Sequence, residues 1–247
     1  MRAQLKNTQV AADGRQSRLE PVASFVRTTN VDLKGKVCLV TGASSGIGRA
    51  TALQLAQRGA VVAMAARREQ QLREIAEEIG GQSSIHLCDL GDAASVLDLA
   101  DDVLALHGQI DVLVNNAAEL VAGEISAVDL ESLDRCFQIN LLSPFLLCGR
   151  LAPLMAARGE GVVASLTTAI ASGRRGLGAY AASKAALDSL TQTLRQEVGG
   201  KGVAVFSYDP GWVQTAMAPD GKESPDDAGA RLVAHIEAAK SARQPLT

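Results

Sequence analysis

From Lys36 onward, short runs of β-branched and aliphatic residues alternate with longer helical stretches. The short runs are Val37–Val40, Val61–Ala65, Ser84–Leu87, Val112–Val114, Val162–Leu166 and Val203–Ser207. The longer segments are Ile47–Arg58, Gln70–Glu78, Ala94–Leu106, Leu130–Ala157 and Tyr180–Val198. A further helix is signalled by Ser224-Pro225-Asp226-Asp227, an N-cap serine followed by a proline-led first turn. Runs that are apolar at nearly every position predict strands buried on both faces, as parallel strands are. Their alternation with helices predicts right-handed crossovers and a doubly wound, Rossmann-type parallel sheet with helices on both faces, in a single α/β domain. The 247 residues are enough for one such domain and its core.

Charge changes the picture at the N-terminus. Residues 1–31 carry Arg2, Lys6, Arg15, Arg18 and Arg27 against Asp13 and Glu20, a local +3 in a chain of net −3, so the remainder is −6. Asp13-Gly14 and Glu20-Pro21 interrupt any amphipathic helix there. The expectation is a flexible or loosely docked arm over 1–31 and the α/β domain over 32–247. Only 3% of residues are aromatic, and the chain lacks a basic footprint, which excludes a nucleic-acid partner. Cys38, Cys88, Cys136 and Cys148 form no metal-spaced cluster and read as buried thiols of a reducing compartment, so no metal is expected. The longest strongly apolar stretch, Ile139 to Gly149, is short and interrupted by Pro144, and no apolar leader opens the chain. A cytoplasmic protein without a membrane partner is expected.

The first predicted strand runs into Thr41-Gly42-Ala43-Ser44-Ser45-Gly46-Ile47-Gly48 and then a helix. Glycines placed between a buried strand and a helix let the backbone approach a pyrophosphate at the positive helix N-terminus. Gly42, Ser44, Ser45, Gly46, Ile47 and Gly48 are therefore candidate cofactor contacts. The second strand ends Ala65-Ala66-Arg67-Arg68, with alanine and then arginine where a carboxylate would hold a ribose 2′-hydroxyl. Arg67 predicts a 2′-phosphate, hence NADP(H) rather than NAD(H). After the third strand, Asp89 and Leu90 stand where a carboxylate could accept from an adenine amino group. Asn116 and Ala117, in Asn115-Asn116-Ala117-Ala118, follow the fourth strand at the ligand-binding edge of an open sheet.

Tyr180-Ala181-Ala182-Ser183-Lys184 sets a phenol and an ammonium one turn apart on a helix face. An ammonium near a phenol favours the phenolate and predicts a lowered tyrosine pKa, suited to general acid/base work. The preceding strand ends in two hydroxyls, Thr167 and Thr168.

Together these segments resemble the short-chain dehydrogenases/reductases. TGASSGIG stands for TGxxxGxG, NNAA for NNAG, YAASK for YxxxK, with Pro210-Gly211, Asn140 and Asp111 in the family's order over about residues 32 to 240. The resemblance implies that Tyr180 exchanges the proton of a carbonyl or alcohol oxygen. It implies that Lys184 holds the nicotinamide ribose and that Asn140 holds a water linking Lys184 to solvent. Pro210, Gly211, Val213 and Thr215 would form the loop at the nicotinamide carboxamide. It also implies a small carbonyl or alcohol substrate and a homodimer or homotetramer.

Three departures stand out. The substrate-orienting serine is replaced by a threonine: Thr168 when counted from Gly161 or Asn140, Thr167 when counted back from Tyr180, with Thr168 preferred. Ala118 replaces the last glycine of NNAG, at a cost of about a kilocalorie only if the backbone there needs a positive φ. The family's last strand has no counterpart before Thr247, and Val22–Thr28 is the candidate to cover the exposed sheet edge. The leading expectation is an NADP(H)-dependent ketone reductase or alcohol dehydrogenase. The alternative is an NADP(H)-binding protein with a non-redox role, as isomerase, dehydratase, cyclase or regulatory binder. Ala118, Glu119, Ile170, Arg174, Leu177, Trp212 and Met217 are candidates for the substrate wall.

Overall fold

A computed structural model describes residues 31–239. Six strands, β1 (Val37–Thr41), β2 (Val61–Ala66), β3 (Ser83–Leu87), β4 (Val112–Asn115), β5 (Gly161–Leu166) and β6 (Val203–Tyr208), pair in parallel in the order β3-β2-β1-β4-β5-β6. Every residue of β1 and β4 is buried, as continuous apolar runs require in the middle of a sheet covered on both faces.

On one face lie α1 (Gly46–Gln57), α2 (Glu69–Ile79) and α7 (Pro225–Ala238), sealing a core that includes Leu39's neighbours Cys38 and Val40 together with Leu55, Leu72 and Leu232. On the other face lie α3 (Ala93–His107), α5 (Ser143–Arg158) and α6 (Gly178–Val198), around Leu113, Leu151, Met155 and Leu194. Asp111, just before β4, ties the strand starts together. It accepts a hydrogen bond from Val37 N at 2.9 Å and faces Lys36 at 3.7 Å and Arg158 at 3.9 Å.

The predicted helix over Leu130–Ala157 is three pieces: α4 (Leu130–Phe137), a π turn over Gln138–Leu142, and α5. Pro144 is the physical reason, since it has no N–H to offer the Asn140 carbonyl four residues back. The combined segment, Leu130–Arg158, is long and apolar enough by composition to cross a membrane, but half of its most apolar stretch is buried inside the domain. At α7 the expected cap is present: Ser224 Oγ accepts from Asp227 N at 3.1 Å.

Chain order reverses between β1 and β4, so the loops at their carboxyl ends part and leave a crevice, the place where open α/β sheets bind ligands. Among the described residues β6 is a sheet edge. The segment Val22–Thr28 proposed to cover that edge lies outside the described residues. Val31, where the described chain begins, donates its N–H to Glu237 O of α7 at 2.7 Å.

Candidate active site

The crevice is a cavity of about 350 Å³ above β1, β4 and β5. Its floor is the β1–α1 turn, where Gly42, Ser44, Ser45, Gly46 and Ile47 all line the wall. Gly42 and Gly46 have φ of +66° and +56°. Gly48 does not line the cavity, but a Cβ there would lie 2.4 Å from both Asn116 Nδ2 and Gly42 O, so only glycine lets the turn close on the β4 loop. Asn116 completes this junction by donating from Nδ2 to Thr41 O at 2.7 Å. Thr41 Oγ1 in turn accepts from Asn116 N and Ala117 N at 3.1 and 3.2 Å. Ser45 precedes α1 without capping it through its side chain, and the first turn holds no acidic residue, which leaves the helix N-terminus open to an anion.

Both arginines after β2 line the cavity. The one that folds back over the turn is Arg68, whose guanidinium donates to Ser44 Oγ at 2.8 Å and to Ser45 Oγ at 2.6 Å. Arg67, the arginine expected from the sequence, lines the same cavity beside it. Spacing puts both at the strand end and cannot say which of them bonds to the glycine-rich turn.

Asp89 and Leu90 line the same end, as does Cys88. Pro210 and Thr215 line the opposite wall, and the Thr215 methyl would lie 3.3 Å from a Cβ on Gly46. Gly211, which is exposed, and Val213, which is buried, do not line the cavity. Asp209, not foreseen from the sequence, fastens two loops: Oδ2 accepts from Ala169 N at 2.7 Å and Oδ1 from Gly211 N at 2.9 Å. Its position just before Pro210-Gly211 was the available signal.

Tyr180 and Lys184 both line the cavity from α6. The Lys184 side chain is almost wholly buried, its Nζ donating to Leu166 O at 2.7 Å and standing 5.9 Å from the centre of the Tyr180 ring. Burial pulls the Lys184 pKa from 10.5 down to about 8. The lowered tyrosine pKa expected from the pairing is not what the folded chain gives. Burial, with smaller contributions from Cys136 and Asp209, pushes the Tyr180 phenol up to about 12. Desolvation prevails because the phenol loses water without gaining a close cation: the Lys184 ammonium is held at Leu166 O, 5.9 Å from the ring centre.

Asn140 is fully buried, and its amide is committed. Oδ1 accepts from Glu119 N at 2.7 Å, while Nδ2 donates to Glu119 O and to Ser183 Oγ, each at 2.9 Å. Pro144, four residues on, denies the Asn140 backbone carbonyl an α-helical donor. Of the two strand-end hydroxyls, Thr167 lines the cavity, whereas Thr168 Oγ1 accepts from Ile170 N at 3.4 Å, capping a short turn. Ala118 lines the cavity and does not have a positive φ, so its replacement of glycine carries no backbone penalty. Glu119 and Met217 also reach the wall. Arg174 instead stacks over Trp212, 5.3 Å from the ring centre.

A doubly wound sheet, a glycine-rich turn under an open helix N-terminus and a buried Tyr–Lys pair define an oxidoreductase of the nicotinamide-dependent type. The chain belongs to the short-chain dehydrogenase family, whose sequence profile matches residues 36–226. A D-threitol dehydrogenase from Mycolicibacterium smegmatis is 35% identical over 206 residues, covering 81% of this chain and 79% of that protein. A 3-oxoacyl-acyl-carrier-protein reductase from Thermotoga maritima is 32% identical over 189 residues, covering 75% and 77%. A metagenomic short-chain oxidoreductase solved in complex with NADP superposes with a TM-score of 0.76 at 34% identity, over 88% of this chain and 96% of that one.

Proposed function

We propose that the protein is an NADP(H)-dependent oxidoreductase that interconverts a small ketone and its secondary alcohol. The observation that carries this reading is one cavity closed at one end by Arg68 on Ser44 and Ser45, and at the other by Tyr180 and Lys184. The donors suit the cofactor: a guanidinium with two hydroxyls for a 2′-phosphate, and an uncapped helix N-terminus for the pyrophosphate. When bound, the nicotinamide supplies or takes up the hydride.

The chain's own work is orientation and proton handling. With a pKa raised to about 12, Tyr180 keeps its proton at neutral pH and can donate it to a carbonyl oxygen. Lys184, protonated below about pH 8, holds the ribose hydroxyls and favours the phenolate left after transfer. A water on the Asn140 carbonyl would return the proton from solvent. Thr168 orients the substrate oxygen; because Thr167 is the hydroxyl on the cavity wall, it is the alternative, and Thr167→Ala against Thr168→Ala separates the two by which one loses kcat. Exposed Leu130, Leu142 and Phe145 on α4, the π turn and α5 support a homodimer or homotetramer, and four free, buried cysteines suit a reducing cytoplasm.

The test is NADPH and NADH consumption over a panel of ketones, aldehydes and quinones, with Tyr180→Phe as control. Turnover with NADPH that vanishes in the variant supports the reading. Tight NADPH binding with no consumption over the panel favours the non-redox alternative.

A further inference from the structure

Arg135 lies on α4 one helical turn before Ile139, itself part of the cavity wall. Its guanidinium stands between carboxylates from two separate loops: Nη2 is 3.6 Å from Asp89 Oδ1, and Nε is 3.9 Å from Glu119 Oε2. Asp89 follows β3, Glu119 follows β4, and both line the cavity. The fit is steric as well as electrostatic, since a Cβ on Gly91 would fall 2.6 Å from Arg135 Nη1. Nη2 is buried yet makes no hydrogen bond among the described residues, so the guanidinium is shared between the two acids rather than closed on either as a fork.

The consequence falls on Asp89. Its Oδ1 accepts from Gly91 N at 2.9 Å and faces the Arg135 charge, while Oδ2 takes no hydrogen bond among the described residues. One carboxylate oxygen is thus tied back and the other is presented. We propose that Arg135 is a positioning residue for the adenine end of the cofactor. By holding Asp89 through Oδ1, it aims Oδ2 at the exocyclic amino group of the base. The proposal rests on the NADP(H) reading above.

The test compares binding of NADPH and of deamino-NADPH, in which the adenine amino group is replaced by a carbonyl oxygen, followed by cofactor fluorescence. The wild-type protein is expected to bind NADPH more tightly than the deamino form. Arg135→Met should weaken NADPH about fivefold, the scale of one partly exposed ion pair, and leave the deamino form nearly unchanged, so that discrimination collapses. Arg135→Lys, which keeps the charge without the planar fork, should fall between them and serves if the methionine variant does not fold. Equal weakening of both cofactors by either variant would mark a general structural role and overturn the proposal. So would a wild-type protein that binds the two cofactors alike. Wild-type protein that binds neither would overturn the NADP(H) reading and this proposal with it.

Discussion

Lys184→Met should yield a protein that is inactive and more stable at neutral pH. The side chain is almost wholly buried, and its pKa falls from 10.5 to about 8 because burial penalises the ammonium. That displacement means the ionised form is disfavoured in the fold by roughly 3 kcal/mol relative to water. Methionine fills a similar unbranched volume without the charge. It also leaves Leu166 O without its 2.7 Å donor, a loss of roughly 2 kcal/mol for a buried carbonyl. The balance is a gain of about 1 kcal/mol, or about 2–4 °C in a domain of this size.

The sign with pH is fixed by the direction of the shift. Between about pH 8 and 10.5 the unfolded chain holds a proton that folded Lys184 has released, so the wild type gains stability as pH rises through that window. The variant's lead at pH 7 must therefore shrink above pH 8, vanish near pH 9 and reverse by about 10.5, where only the lost bond to Leu166 O remains. Denaturant titrations of both proteins across this range check it, because other titrating groups cancel in the difference. A variant that is less stable at pH 7, or whose lead does not change with pH, would refute the reasoning.

Pro144→Ala should restore an N–H to the Asn140 carbonyl and straighten the π turn, giving equal or higher thermal stability with kcat lowered about tenfold, as expected when a proton route is impaired. His86 and His107 both approach Ser84 Oγ, at 2.9 and 2.8 Å, and burial lowers the pKa of each below 6.5. The unfolded chain then binds more protons as pH falls below 6.5, so stability is lost on acidification, and His107→Gln should flatten the fall in urea midpoint between about pH 7 and 5. Gly48→Ala would drive a methyl group into Asn116 Nδ2 and Gly42 O, and should abolish NADPH binding, measured by fluorescence.

What could be read from the chain, and what could not, divides along one physical line. Burial on both faces of a strand leaves its mark on every residue of β1 and β4 and on β5 from Val162 onward, so those strands are legible to within a residue or two of their ends. Glycine at position 48 is equally legible, because a backbone contact admits no other side chain. The π turn was hidden inside an apolar run, and only the missing N–H of Pro144, weighed against the carbonyl of Asn140, accounts for it.

Side-chain direction is a further step away from the pattern. Arg67 and Arg68 are neighbours with the same chemistry, and Thr167 and Thr168 are another such pair. Which arginine bonds to the turn, and which threonine faces the cavity, depends on the local φ and ψ rather than on composition. The Tyr180–Lys184 pair shows the limit most sharply. Spacing alone predicts a cation that lowers a phenol. In the fold the lysine is bound to Leu166 O, and burial has moved both groups toward their neutral forms. At neutral pH the buried Lys184 costs the free protein stability whereas the neutral Tyr180 does not, and both respond to whatever brings charge or hydrogen bonds into the cavity. The same site that weakens the fold is for that reason the one most able to change its protonation when a ligand arrives.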